Sequence, residues 1–256
     1  MKIVDNIEKK TKEIKKIFLK LVVDGSKYHL GGSLSCLDLI VTMIYGNFLK
    51  INNNNLKNFI LSKGHALGIL HSIMIEKKII KSKSLFRNKE IGNIGGQLDI
   101  YNFKKNFFEW NSGSLGHSIG ISIGMSIAEK NKKILTLIGD AEIDEGSVWE
   151  GLFFISDKKI NNIVIVIDRN NVSASSRIEK KKNLDINLLK RLNIDIKEID
   201  GHNIKQIYNT FKKIYNSKKS VIVVANTIKG KGIKEIENNL KYSHHLPKMS
   251  ILKKYL

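Results

Sequence analysis

The sequence has one cysteine, one proline, two tryptophans and no apolar run long enough to cross a bilayer. Cys36 has no partner for an intrachain disulfide, which points to a reducing compartment. Set in the apolar helical pattern SLSCLDLIVTMI, it reads as a buried structural thiol rather than a nucleophile. The start, MKIVDNIEKKTKEIKK, lacks the continuous apolar core of a signal peptide, and nothing later supplies the roughly 20 apolar residues of a membrane span. A soluble, cytoplasmic protein without membrane contacts is expected. Arginine is scarce as well: Arg87, Arg169, Arg177 and Arg191 are the only ones, so lysine carries nearly all of the net charge of +20. These lysines are scattered among Ile and Asn along the whole chain, as solvated faces are, and no aromatic-rich motif accompanies them. No nucleic-acid partner is expected.

What is present suits an enzyme-sized α/β unit. With 256 residues, 42% of them hydrophobic, the chain can bury a substantial core and fits a single domain over residues 1–256. Ile14, Ile17, Phe18, Leu21 and Val22 share one face of a 3.6-residue period, so a first helix is predicted to stop near Asp24-Gly25. The loop SKYHLGGS follows, with Ser33 as the expected cap of a helix running to Leu49. NFILSKGHALGIL reads as a strand-like entry, a turn at Gly64 and a helix just after His65. Residues 81–112 form an irregular stretch too long for an ordinary connector. From Gly113 the pattern is regular: a glycine-punctuated helix to about Lys130, the strand ILTLI, a helix over 145–157 and the strand IVIVI. Further units lie at 195–200, at 203–216 as a helix, and at SVIVVAN. Short β-branched runs alternating with helices predict a parallel sheet with helices on both faces.

The segment ILTLIGDAEIDEGSVWEGLFFISDKKINNIVIVIDRNNVSA carries the chemistry. If Ile134–Ile138 and Ile163–Ile167 are neighbouring parallel strands, Asp140 and Asn170 emerge together at the edge where open α/β sheets bind ligands. A carboxylate, an amide oxygen and a nearby backbone carbonyl form a hard oxygen set. It suits Mg²⁺ or Ca²⁺ with positions left open for phosphate oxygens. Gly139 permits a tight turn and close backbone approach.

This segment resembles the thiamine-diphosphate fingerprint, a Gly-Asp-Gly followed about thirty residues later by Asn. Other motifs narrow the resemblance to the transketolase family: YHLGGSLSCLDL, LSKGHA, NSGSLGHSIGISIGMSIA, and later IDGHN, TIKGKG and IENN. Together they run from about Lys10 to Pro247. The resemblance implies a thiamine-diphosphate-binding fold, with Asp140, Asn170 and the carbonyl of Val172 holding the metal against the diphosphate. It makes Gly139 and Ala141 part of the diphosphate turn, and places Gly113 and Leu115 beside the cofactor rings. His29 is implied near the reacting carbons, His65 beside the diphosphate or substrate, and Glu145 in a carboxylate network crossing to a partner active site. His29 and His65 taken singly read more readily as structural histidines, a balance that the motifs reverse, and Glu145 is compatible with an acidic residue favourable to a helix dipole. His117 fits a cofactor neighbour or a polar helix start. His202 reads as structural, and the TIKGKG lysines as a solvated loop rather than a phosphate site.

The sequence departs from the family pattern at several places. Tyr28 replaces a glycine, Ala141 the second glycine of the fingerprint, and Gln97 a substrate-contacting histidine. The usual Trp-His pair reads Tyr242-Ser243, followed by His244 and His245, and His244 is taken as the late catalytic histidine. The glutamate that activates thiamine in this family belongs to a second domain missing from this sequence. The resemblance therefore implies the N-terminal subunit of a split transketolase, completed by a C-terminal chain in an α₂β₂ assembly. It would move a two-carbon ketol unit between sugar phosphates, as in the pentose phosphate pathway. The alternatives are a thiamine enzyme component of the 1-deoxyxylulose-5-phosphate synthase or E1 kind, and a non-catalytic scaffold subunit.

Overall fold

The computed structural model describes residues 2–26, 28–52, 55–82, 112–173, 186–192, 194–243 and 245–256. Helix α1 (Lys2–Val23) buries Ile14, Phe18, Leu21 and Val22 on the face predicted from their spacing, with Ile17 partly buried beside them and Ile7 buried as well. It stops at Gly25, whose φ of +108° suits glycine, and the Ser26 amide returns to the Leu21 carbonyl at 2.9 Å. The next helical stretch is broken rather than continuous: α2 (Leu30–Ser35) and α3 (Leu37–Tyr45) meet at Cys36. Ser33 therefore lies inside α2 and caps nothing. Its hydroxyl donates instead to the carbonyl of His65 at 3.2 Å. Tertiary bonding has displaced the local cap that the sequence offered.

A small antiparallel pair, β1 (Ile51–Asn52) and β2 (Asn55–Leu56), precedes strand β3 (Phe59–Leu61). Then come a 3-10 turn over Gly64–Ala66, α4 (Leu67–Glu76), α5 (His117–Ala128) and β4 (Ile134–Gly139). A second 3-10 turn (Asp140–Asp144) leads into α6 (Gly146–Asp157) and β5 (Ile163–Arg169). Among the described residues there follow α7 (Ile186–Leu189), β6 (Asp195–Asp200), α8 (Ile204–Tyr215), β7 (Val221–Asn226), a third 3-10 turn (Leu240–Tyr242) and α9 (Met249–Lys253).

Five strands form one sheet in the order β3-β4-β5-β7-β6, with every neighbouring pair parallel. Because side chains alternate across a strand, the sheet feeds two cores. Leu135, Leu137, Val164, Val166, Val221 and Val223 join the core with α1, α3, α4 and α8. Ile138, Ile163, Ile165, Ile167, Ile222 and Val224 join the other, with Ile119 and Ile123 of α5 and Val148, Leu152 and Ile155 of α6. This is the expected α/β sheet covered on both faces. Cys36 is fully buried, and burial pushes its thiol up to about 12, as befits a structural residue.

Tyr28, the departure beside His29, is a core residue. Its ring centroid lies 5.9 Å from that of Phe18, and its hydroxyl bonds His71 Nδ1 at 2.7 Å inside the apolar interior. His71 is fully buried on α4, and desolvation lowers its pKa to about 3. A histidine held neutral below its unfolded value contributes stability above pH ~6.5 and loses it as the pH falls towards 3. Between about pH 7.5 and pH 5 that loss is roughly 2 kcal/mol from this group alone. Denaturant titrations of the wild type and His71→Gln at these two pH values should show the wild type losing about 2 kcal/mol more than the variant.

Candidate active site

Strands β4 and β5 run side by side with Gly139 opposite Asp168, so the chain leaves both at the same edge of the sheet. Asp140 follows one strand and Asn170 the other, and a turn with Asn171 at φ +59° closes them together. Asparagine tolerates that left-handed conformation better than most residues. The Asn171 amide donates to Asp140 Oδ2 at 2.5 Å and the Ala141 amide to Oδ1 at 2.9 Å. The Val172 amide donates to Asn170 Oδ1 at 3.1 Å. Asp140 is 9% exposed, and burial, reinforced by the nearby Asp168 charge, raises its pKa to about 6.

Beneath this turn lies a buried ion pair. Lys63, the third residue of LSKGHA, extends from the loop after β3, and its ammonium contacts Asp168 of β5. The same ammonium donates to Ser35 Oγ and to the Gly32 carbonyl, each at 3.1 Å. Asp168 also accepts from Ser35 Oγ at 2.5 Å, from Thr227 Oγ1, and from Asn170 Nδ2 at 3.4 Å. Burial opposes both charges. Their mutual attraction outweighs it, holding Lys63 above and Asp168 below its ordinary value, so both are ionised.

Lys63, Asp140 and Asn170 wall a cavity of ≈ 390 Å³ together with His29, His65, Leu115, Gly139, Ala141 and Val172. The His29 and His65 rings stand edge to face with centroids 6.1 Å apart. His65 is kept neutral: burial first, then the positive charges of Lys63 and Lys229, hold it well below the usual histidine value. Gly32 makes room for it, because a Cβ there would lie 2.2 Å from His65 Cδ2. Gly139 needs no special backbone angle, and a Cβ there would meet only Lys63, at 3.8 Å.

Not every expected residue meets at this cavity. Gly113 and Glu145 are outside its wall. Glu145 precedes α6 behind Gly116, where an added Cβ would come within 2.9 Å of Glu145 Cβ. His117 faces a separate surface groove. His244 and Gln97 lie outside the described residues. Ser243 does line the cavity, and its backbone carbonyl is 3.5 Å from His29 Nδ1.

Asp168 and Glu142 carry no sequence signal of their own, while Lys63, Lys229 and Ser243 lie in the motifs LSKGHA and TIKGKG and at the altered Trp-His pair without being singled out as site residues. Glu142 is buried, and its Oε1 accepts from Ser62 Oγ at 2.5 Å, the Gly116 amide at 2.9 Å and Ser118 Oγ at 3.4 Å. It thereby ties three motifs into one wall. Lys229 departs most from expectation: its ammonium bonds the carbonyls of Val172 at 3.1 Å and Ser173 at 2.8 Å inside the cavity wall. Burial, with help from Lys63, lowers its pKa to about 8.

The sequence pattern of the family described as 1-deoxy-D-xylulose-5-phosphate synthase matches residues 3–194. The chain belongs to the transketolase family, in its N-terminal, thiamine-diphosphate-binding half. It is 29% identical over 257 residues to one subunit of the apulose-4-phosphate transketolase of Phocaeicola vulgatus, covering 95% of this chain and 90% of that protein. It is 31% identical over 201 residues to Homo sapiens transketolase, covering 74% of this chain and 31% of that one. The transketolase structure from Campylobacter jejuni superimposes on the whole chain with a TM-score of 0.77 at 18% identity. The chain spans 46% of that protein's length.

The residues present fit a metal-diphosphate group. Asp140, the Asn170 amide and the Val172 carbonyl would supply hard oxygens, and Lys229 would offset phosphate charge. A carbonyl oxygen has two lone pairs, so a cation can share Val172 with Lys229.

The ion pair is the part of the wall most sensitive to mutation, because removing one partner strands the other charge in the interior. Lys63→Ala should cost about 3–5 kcal/mol in denaturant unfolding, and adding Asp168→Asn to it should recover a large part of that loss.

Proposed function

We propose that this chain is the cofactor-binding half of a two-chain transketolase-type enzyme. It would carry a two-carbon ketol unit from a ketose phosphate to an aldose phosphate. The observation that carries this reading is the convergence of Asp140, Asn170, two lysines and two histidines on one cavity at the C-terminal edge of β4 and β5. Asp140, Asn170 and Val172 would hold Mg²⁺ or Ca²⁺, and Lys229 would face the diphosphate above the Lys63–Asp168 floor. Thiamine diphosphate, when bound, supplies the nucleophilic carbon that takes up the two-carbon unit. Neutral His65 can accept a hydrogen bond from a substrate hydroxyl, and His29, at the mouth of α2, can donate a hydrogen bond to a developing alkoxide.

A second polypeptide bearing the pyrimidine-site glutamate would complete the site, in keeping with the Phocaeicola relative, which is itself named as one subunit of its transketolase. The face formed by α5 and α6 suits its docking. Phe153 and Ile127 are 59% and 51% exposed there, Phe154 is exposed beside them, and Gly120 and Gly124 leave open space above the helix. A groove of ≈ 360 Å³ between the two helices starts at Gly116, next to Leu115 of the cavity wall. A partner seated there would reach the cofactor rings directly. Exposed aromatic side chains around small residues are typical anchors for a protein partner.

Affinity purification of the tagged chain from its native source should recover a second chain of comparable size. The pair should transfer a ketol unit from xylulose 5-phosphate or apulose 4-phosphate to an aldose phosphate in the presence of thiamine diphosphate and Mg²⁺. Gly120→Arg combined with Phe154→Asp should reduce partner recovery at least about tenfold while leaving the circular dichroism spectrum unchanged. Recovery of this chain alone, or a pair inactive with every ketose phosphate, would remove the reading.

A further inference from the structure

His202 sits in the turn between β6 and α8, outside the cavity wall, yet both ring nitrogens are engaged. Nδ1 is 2.7 Å from Asp38 Oδ2 on α3, and Nε2 is 2.8 Å from the Ile228 amide. Both side chains of the His–Asp pair are largely shielded, at 12% and 15% exposure. An amide nitrogen can only donate, so Nε2 must be the unprotonated acceptor. The ring hydrogen then sits on Nδ1 and is given to Asp38. The tautomer is fixed by what surrounds it.

Ile228 immediately precedes Lys229. The loop is anchored on each side of that lysine: the Thr227 amide donates to the Arg169 carbonyl, and the Gly230 amide to the Gly31 carbonyl, both at 3.0 Å. The Ile228 amide adds a third anchor directly before Lys229, and a side chain rather than backbone receives it. From this tethered backbone Lys229 reaches the carbonyls of Val172 and Ser173. A long, flexible lysine is a useful electrostatic partner only where its backbone is held, because otherwise ordering it costs entropy on binding.

We propose that His202, oriented by Asp38, is a positioning residue: by receiving the Ile228 amide it fixes the reach of Lys229 into the cavity and so strengthens diphosphate binding. The inference rests on the reading that this cavity takes the cofactor diphosphate. It separates His202 from a residue that merely stabilises the fold, because its effect must pass through Lys229.

Two substitutions divide the two ring contacts. His202→Asn keeps a donor near Asp38 but falls short of Ile228, whereas His202→Gln places an acceptor oxygen within reach of the Ile228 amide. Calorimetric titration of the chain together with its partner, using thiamine diphosphate and Mg²⁺, should show about tenfold weaker binding for His202→Asn and less than about threefold weaker binding for His202→Gln. In a Lys229→Met background, His202→Asn should change binding by less than about twofold, because the lysine it positions is gone. Nitrogen-15 spectra of the wild type should show the Nδ1–H tautomer at His202. Binding by His202→Asn equal to the wild type, or a full tenfold loss persisting without Lys229, would overturn the proposal while leaving the cofactor site standing. A wild-type pair of chains that binds no thiamine diphosphate would overturn the site reading and this inference with it.

Discussion

The buried contact between Lys63 and Asp168 is the constraint on which the site depends. It joins the loop after β3 to the end of β5, and through Ser35, Gly32, Asn170 and Thr227 it also engages α2, the β5 turn and the segment after β7. Two opposite charges in an apolar interior are tolerated only when each has a full set of partners. Here the partners come from segments far apart in sequence, so satisfying the charges fixes the relative placement of those segments. Asp140 inherits its environment from the same pair: its own burial and the Asp168 charge beside it favour the protonated carboxyl, which a cation at the turn would counter.

Positive charge is placed around the cavity with the same selectivity. Among 44 basic residues, Lys63 and Lys229 reach into the cavity wall, while lysines such as Lys158 and Lys219 remain on the surface. Lys63 is neutralised internally by Asp168 and forms the floor. Lys229 is held by backbone carbonyls, which leaves its charge uncompensated by a direct ion pair among the described residues. A dianionic group entering between them would meet one fixed dipolar floor and one cation facing it. His65 is kept uncharged by burial and by these same cations.

Much of this was legible in the sequence, for definite reasons. The β-branched runs ILTLI and IVIVI fit buried parallel strands, and neighbouring strands of that kind carry Asp140 and Asn170 to a common edge. The broken helix at Cys36 was not legible, because Ser33 looks locally like a cap and its true partner, the His65 carbonyl, lies 32 residues away. Lys229 was misread as solvated for a similar reason: a lysine in a glycine-rich loop gives no local sign that it folds back onto Val172. Asp168 sits two residues before Asn170 without a sign of its own, and only its pairing with Lys63 reveals its role. Tyr28 looks in sequence like decay of a motif, whereas burial against Phe18 and His71 shows a coherent repacking.

A crystal structure of the full chain with Mg²⁺ and thiamine diphosphate tests the central claim most directly. The account predicts the metal bound by the Asp140 carboxylate, the Asn170 amide oxygen and the Val172 carbonyl, at about 2.0–2.1 Å from each, with the Lys229 ammonium turned to the diphosphate. An ordered cofactor at any other place, or a metal at the diphosphate that touches none of these three residues, would contradict it.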